Sequence, residues 1–174
     1  MSSTPTDNRR IRRWTLLWAA VALIVAFNAP SPVTAHGGQD HRVETTRGAF
    51  VTLPGGADLD FIIEGRASMV RLPHHTLVHV RVRGLDPKTT YPAHVHNAPC
   101  SATPSGGSHY QHKVGEGPRF VNAVNEIWPE VTTNGAGRSH GHAAHGYRAR
   151  PDAMSVVIHY PPDTSIRLAC ADLT

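Results

Sequence analysis

From residue 76 to residue 82 the chain reads TLVHVRV, with large apolar and polar positions alternating. Val78, Val80 and Val82 fall on one side of an extended chain, and Leu77, His79 and Arg81 on the other, the pattern of a half-buried strand. Shorter runs of the same kind predict strands over residues 49–53, 59–64 and 153–159. Val131-Thr132-Thr133 leads into Asn134-Gly135-Ala136-Gly137, a strong turn signal with a further extended stretch behind it. Pro54-Gly55-Gly56 and Gly84-Leu85-Asp86-Pro87 also read as turns. Residues 97–125 are rich in Gly, Ser, Pro and Asn and read as a long loop. Beyond residue 35 no helical period is sustained and no segment repeats. Six to eight short strands at this spacing predict an antiparallel β-sandwich or barrel.

The first 35 residues follow a different pattern. Arg9, Arg10, Arg12 and Arg13 precede WTLLWAAVALIVAF, an apolar run over residues 14–27. Pro30 and Pro32 then break the run, and Val33-Thr34-Ala35 places small residues where a signal peptidase reads. A stable membrane span needs ~20 apolar residues, so export with cleavage after residue 35 is the expectation, and an uncleaved N-terminal anchor its alternative. The domain division that follows is 1–35 for the signal peptide or anchor, 36–46 for a flexible segment, and 47–174 for the folded domain. The expected location is the periplasm, cell envelope or extracellular space, with membrane contact only through an uncleaved N-terminal segment.

Charge changes the picture once this segment is set aside. The chain carries +4, with 17 Lys and Arg against 13 Asp and Glu. Four of those basic residues and one acid lie within residues 1–35, which leaves 13 basic and 12 acidic groups in the rest. A nucleic-acid partner is therefore not expected. Histidine is the unusual residue: all 13 lie beyond residue 35. The two cysteines, Cys100 and Cys170, read as a disulfide in an exported domain rather than as a thiol catalyst or a cysteine-rich metal site.

Three histidine segments carry candidate chemistry. His94 and His96 flank Val95, and residues i and i+2 of a strand share a face, so both imidazoles can reach one ion; a solvated strand face would give the same pattern. His159 closes the apolar run MSVVI, where a satisfied core histidine is the competing reading. His109 and His112 lie in SGGSHYQH, whose glycines let a loop fold back. Ligation by imidazole without thiolate suits copper or zinc, and a low ligand count with open access suits redox copper.

Together these segments resemble the Cu,Zn superoxide dismutase family. The resemblance is carried by Gly84-Leu85, His94-Val95-His96, Cys100, and His109 in Gly-Gly-Ser-His-Tyr. It continues through Val131-Thr132-Thr133-Asn134-Gly135-Ala136-Gly137, Ser155-Val156-Val157-Ile158-His159 and Arg167-Leu168-Ala169-Cys170, so that it covers roughly residues 45–172. It implies a Greek-key, immunoglobulin-like β-sandwich or flattened barrel. It implies copper held by His94, His96 and His159, with His109 as the imidazole that bridges copper to zinc in the family. Cys100 and Cys170 correspond to the intrasubunit disulfide. Arg167 corresponds to the guanidinium that attracts superoxide, and with His109 it is the expected catalytic residue. The implied activity is dismutation of superoxide to O2 and H2O2, with that small anion as the partner molecule. A copper-binding buffer or donor with the same fold and little turnover is the alternative.

The sequence also departs from the family pattern. Zinc-containing members carry two more zinc histidines and an aspartate after the bridging histidine. Here residues 110–125 contain only His112, Ile127 stands about where the aspartate would, and Glu126 is the nearest carboxylate. Only YPPDTSI separates His159 from Arg167, where the family has a long charged loop. The pattern resembles the copper-only branch, with zinc absent or weakly held. Glu126 is the candidate to orient the bridging histidine, against the plainer reading of a solvated glutamate. His140, His142 and His145 read as a polar strand face, with a zinc-site remnant or copper-recruiting patch as alternative. His74, His75 and His79 read as surface residues. His36, as a new N-terminus with His41 nearby, is a weaker copper-gathering candidate.

Overall fold

Strand alternation decides which face is buried, and the computed structural model follows that alternation through nine strands. It describes residues 42–174. The export or anchor segment, His36 and His41 lie outside the described residues. The strands are β1 (Glu44–Thr52), β2 (Glu64–Arg71), β3 (Thr76–Arg83), β4 (Thr90–Tyr91), β5 (Ala93–His96), β6 (Val131–Thr132), β7 (Arg138–His145), β8 (Ser155–Tyr160) and β9 (Asp163–Asp172). Seven form one antiparallel sheet in the order β5-β8-β9-β1-β2-β3-β7, curled into a half-barrel, while β4 and β6 make a short separate ladder. The protein is all-β, as its patterning implies.

The curl comes from β1, which pairs with β2 from Glu44 to Ala49 and with β9 from Phe50 to Thr52. Gly48 sits beside this change of partner. A Cβ there would lie 1.9 Å from the Asp172 carbonyl oxygen, so the two ladders can meet this closely only around glycine. Inside the curl lie Ala67 and Met69 of β2, Val78 and Val80 of β3, Val95 of β5, Val156 and Ile158 of β8 and Leu168 of β9, all essentially inaccessible to water. Each large aliphatic side chain buried in this way contributes roughly 1.5–3 kcal/mol. Residues 155–159 of β8 are buried on both faces. The inner face meets the core, and the other is covered by the loop that follows β5, which is why Val156, Val157 and Ile158 are apolar in succession rather than alternating with polar residues.

Three local expectations are corrected. Residues 59–63 form a turn and an unpaired link, and the strand expected there begins only at Glu64. In EGRASMVR the inward positions are held by Ala67 and Met69 between arginines, a weaker apolar signal than the Leu, Phe and Ile before it. Pro54–Ala57 closes a single helical turn, α1, rather than a plain turn. β1 starts at Glu44, inside the segment expected to be flexible, because Glu44, Thr45 and Thr46 pair with Arg71, Val70 and Met69. The long loop over residues 97–125 contains no named strand, only a 3-10 turn at Pro118–Phe120.

Candidate metal centre

β5 carries its histidines on the face turned away from the core. Val95 points inward and is fully buried, while His94 and His96 point the other way. β8 adds His159, which shares a face with Val157 and Ser155, the partners of His94 and His96 in the ladder. The loop after β5 folds back so that His109 bridges to His96 and completes the group. One ligand atom from each of His94, His96, His109 and His159 lies within 4.8 Å of the others.

The outer nitrogens of three rings are tied down. His96 Nδ1–H donates to the Gly107 carbonyl at 3.2 Å, His159 Nδ1–H to the Thr164 carbonyl at 2.7 Å, and His109 Nδ1–H to Glu126 Oε2 at 2.8 Å. A carbonyl only accepts, so Nδ1 holds the proton in both His96 and His159, and in the neutral rings Nε2 is a lone pair. These two Nε2 atoms face each other at 3.2 Å. The buried Nδ1 of His94 has no hydrogen-bond partner. Lone pairs converging on one point, with no donor to satisfy them, are what a cation requires. The residues present therefore fit a metal ion.

Two glycines make the first of these bonds possible. Gly106 and Gly107 have φ of +82° and +68°. A Cβ on Gly106 would lie 2.7 Å from Val157 Cγ2, and one on Gly107 would lie 2.7 Å from Ala98 Cβ. A side chain on Gly106 would push the loop off β8, and one on Gly107 would push it off Asn97 and Ala98; either shift would take the Gly107 carbonyl from His96.

Glu126 organises the far side of His109. Its side chain is 1% exposed. Oε2 accepts from both His109 Nδ1 and Trp128 Nε1, the latter at 2.9 Å, and Oε1 accepts weakly from Gln111 Nε2 at 3.4 Å. Glu126 is thus a buried hub rather than a solvated residue. Its neighbour Ile127 turns into the core, fully buried. Trp128 also sets its ring against His94, with centroids 5.4 Å apart. Sequence reasoning did not single out Trp128; the available signal was its position two residues after Glu126, which puts both on one side of an extended segment.

Burial keeps three of the rings neutral. It pushes His94 down to about 3 and His96 to about 2, with the neighbouring His109 and His159 adding to the effect in both. His159 is lowered to about 4 by burial, opposed by its bond to the Thr164 carbonyl. Arg167, opposite His159 in the β8–β9 ladder, lowers both His96 and His159 further by its charge. Its Nη1 donates to the Ser105 carbonyl, and no carboxylate pairs with it among the described residues. A fixed, half-buried cation thus stands beside the neutral imidazoles of His94, His96 and His159.

Cys100 and Cys170 form a disulfide with Cα atoms 5.7 Å apart, across a sequence separation of 70. It fastens the loop after β5 to β9, and the Cys100 N–H adds a bond to Asp172 Oδ1 at 2.7 Å. The remaining histidines stay apart. His112 stacks on Tyr147, with ring centroids 3.8 Å apart, and does not join the four-histidine group. His140 and His142 are exposed on β7, His79 is exposed on β3, and His145 is half-buried against Tyr147.

Four imidazoles without thiolate are compatible with copper, as with other borderline metals. No protein-family model matches the chain, and no characterised protein matches it in sequence.

Proposed function

We propose that the chain is an exported, copper-dependent superoxide dismutase of the copper-only kind within the Cu,Zn superoxide dismutase family. The observation that carries this reading is the convergence of four imidazoles whose ligand atoms lie within 4.8 Å, two of them lone pair to lone pair at 3.2 Å. Copper held by His94, His96, His109 and His159 would supply the one-electron couple that dismutation of superoxide to O2 and H2O2 requires.

The chain's own residues support the rest of the cycle. Arg167 offers an uncompensated positive charge at the rim of the group, which favours a small anion. Glu126 holds the His109 proton on Nδ1, so Nε2 is the ring atom that can carry one of the two protons that reduction of the second superoxide to H2O2 takes up, the other coming from water. With Nδ1 committed to a carboxylate, His109 has no nitrogen left for a second metal, and His112 is stacked elsewhere. The proposal is therefore one copper and no stoichiometric zinc per chain.

The test is replacement of His94, His96 and His159 by Ala, one at a time, with bound copper and dismutation measured on the purified protein. Each variant should lose both. Full copper occupancy in all three would refute the assignment. Copper bound by the parent protein without dismutation at any ionic strength would point instead to a copper buffer or donor.

A further inference from the structure

The outward face of β1, β2, β3 and β7 breaks a rule of sheet design. Register places Arg66 directly opposite Arg81, and Arg81 opposite His140. One row along, Arg83 lies between Glu64 and Arg138. One row the other way, Arg47 opens the series Arg47, Ser68, His79, His142. All five of these arginines are exposed. Like charges directly opposite each other destabilise a sheet. Glu64 is the one acid in these three rows, and it is paired with Arg83. Arg47, Arg66, Arg81 and Arg138 have no carboxylate partner among the described residues. Outside the first 35 residues the chain is close to charge-balanced, so this is segregation of charge and not a consequence of composition.

The relief of the face matches its charge. A shallow trough of ≈ 580 Å³ runs between Arg47, Arg66, Arg81, His79 and His142. A second, of ≈ 440 Å³, continues it past Arg83 and Arg138, sharing Arg66, Arg81 and His140 with the first. Successive rows are about 7 Å apart along the strands, and neighbours in a row about 5 Å apart. The result is a ladder of guanidinium groups, which bind tetrahedral oxyanions through paired N–H donors. Ser68 and the imidazoles between them can bond to hydroxyls.

We infer that this face binds an acidic polysaccharide bearing sulfate or phosphate esters, laid along the trough. No Phe, Tyr or Trp stands in the three rows, so the large aromatic platforms on which bases of a single-stranded nucleic acid stack are missing from them. No large apolar side chain projects from the centre of the trough, as insertion into a bilayer surface would need. No residue of the face belongs to the metal centre, so an occupied trough leaves the four histidines untouched.

The experiment measures binding of a labelled heparin oligosaccharide by fluorescence anisotropy over a NaCl series at neutral pH. Wild-type protein is compared with Arg66→Ser/Arg81→Ser and with Lys88→Ser/Lys113→Ser, which removes the same charge elsewhere. The arginine variant should bind roughly 10-fold more weakly, with the slope of log affinity against log salt reduced by about 1.5, while the lysine variant stays near wild type. Without polymer, the arginine variant should melt roughly 1–4 °C higher, because a like-charge pair has been removed. The polymer should raise the melting temperature of wild type more than that of the arginine variant. No binding at low salt, or equal affinity and slope in the two variants, would overturn the inference. So would a single-stranded DNA of matched charge, or phosphatidylglycerol vesicles, binding wild type as tightly as the oligosaccharide.

Discussion

Replacing Glu126 tests the core of the site. The carboxylate is almost wholly buried and accepts from His109 and Trp128 at one oxygen, and weakly from Gln111 at the other. Hydrogen bonds to a buried charge contribute about 1.5–3 kcal/mol each, against about 1 kcal/mol for neutral ones. Glu126→Gln keeps an acceptor oxygen of the same reach but loses the charge on both short bonds, so it should lower the unfolding free energy by about 1–3 kcal/mol. Glu126→Ala removes the acceptor altogether, leaves the His109 and Trp128 donors unpaired and opens a cavity, and should cost about 3–5 kcal/mol. Metal affinity should follow the same order. Loss of a group that orients a ligand typically weakens binding 10–100-fold, with Ala at the weak end of that range and Gln between it and wild type. Urea unfolding of the metal-free protein gives the first series, and competition for copper against a chelator of known affinity gives the second. Copper affinity in Glu126→Ala equal to that of wild type would refute the idea that this carboxylate positions His109, whatever the change in stability.

Arg167→Ala should keep its copper while dismutation at low ionic strength falls about 10-fold, and Arg167→Lys should lose less, since the role is charge rather than ligation; unchanged activity in Arg167→Ala would count against it. Reducing the Cys100–Cys170 bridge should lower stability by about 4 kcal/mol on the chain-entropy model and loosen copper at the same time, because the loop carrying Gly107 and His109 is fastened by it; retained copper affinity in the reduced protein would separate the loop from the site. Burial holds the Tyr91 phenol up at about 12, against an ordinary value of 10. The unfolded chain then loses this proton first, so stability should decline as pH rises from about 10 towards 12. Tyr91→Phe should flatten that decline, and equal alkaline slopes in the two proteins would exclude Tyr91 as its source.

Much of the architecture was legible because β3 and β8 state their environment plainly. Strict alternation in TLVHVRV marks a strand with one solvated face, and continuous burial in SVVIH marks one covered on both. β2 was not legible, since Ala67 and Met69 hold its inner positions and charged residues bracket them. The ligand histidines were legible as a pair on one strand and a strand end. Their convergence with His109 was legible only through the family resemblance and not from spacing, because it depends on a loop whose path is set by Gly106, Gly107 and the disulfide. Glu126 could be nominated from position alone, but Trp128 as its second donor could not, since nothing in a single sequence reports a shared acceptor oxygen.

The polar partners behind the rings explain how four imidazoles can be held so close. Two backbone carbonyls and one carboxylate fix the Nδ1 protons of His96, His159 and His109 outward, which turns Nε2 of each ring towards the centre of the group. Burial and the charge of Arg167 then oppose protonation, which would otherwise let one imidazole donate to another and collapse the group into an ordinary hydrogen-bonded cluster. The same features make the group receptive to a cation, since ring nitrogens turned inward with their outer N–H groups already bonded are what a metal ion ligates. The energy of the fold is thus committed in advance to ligand geometry, and the loop, the disulfide and Glu126 are the parts that hold that commitment in place.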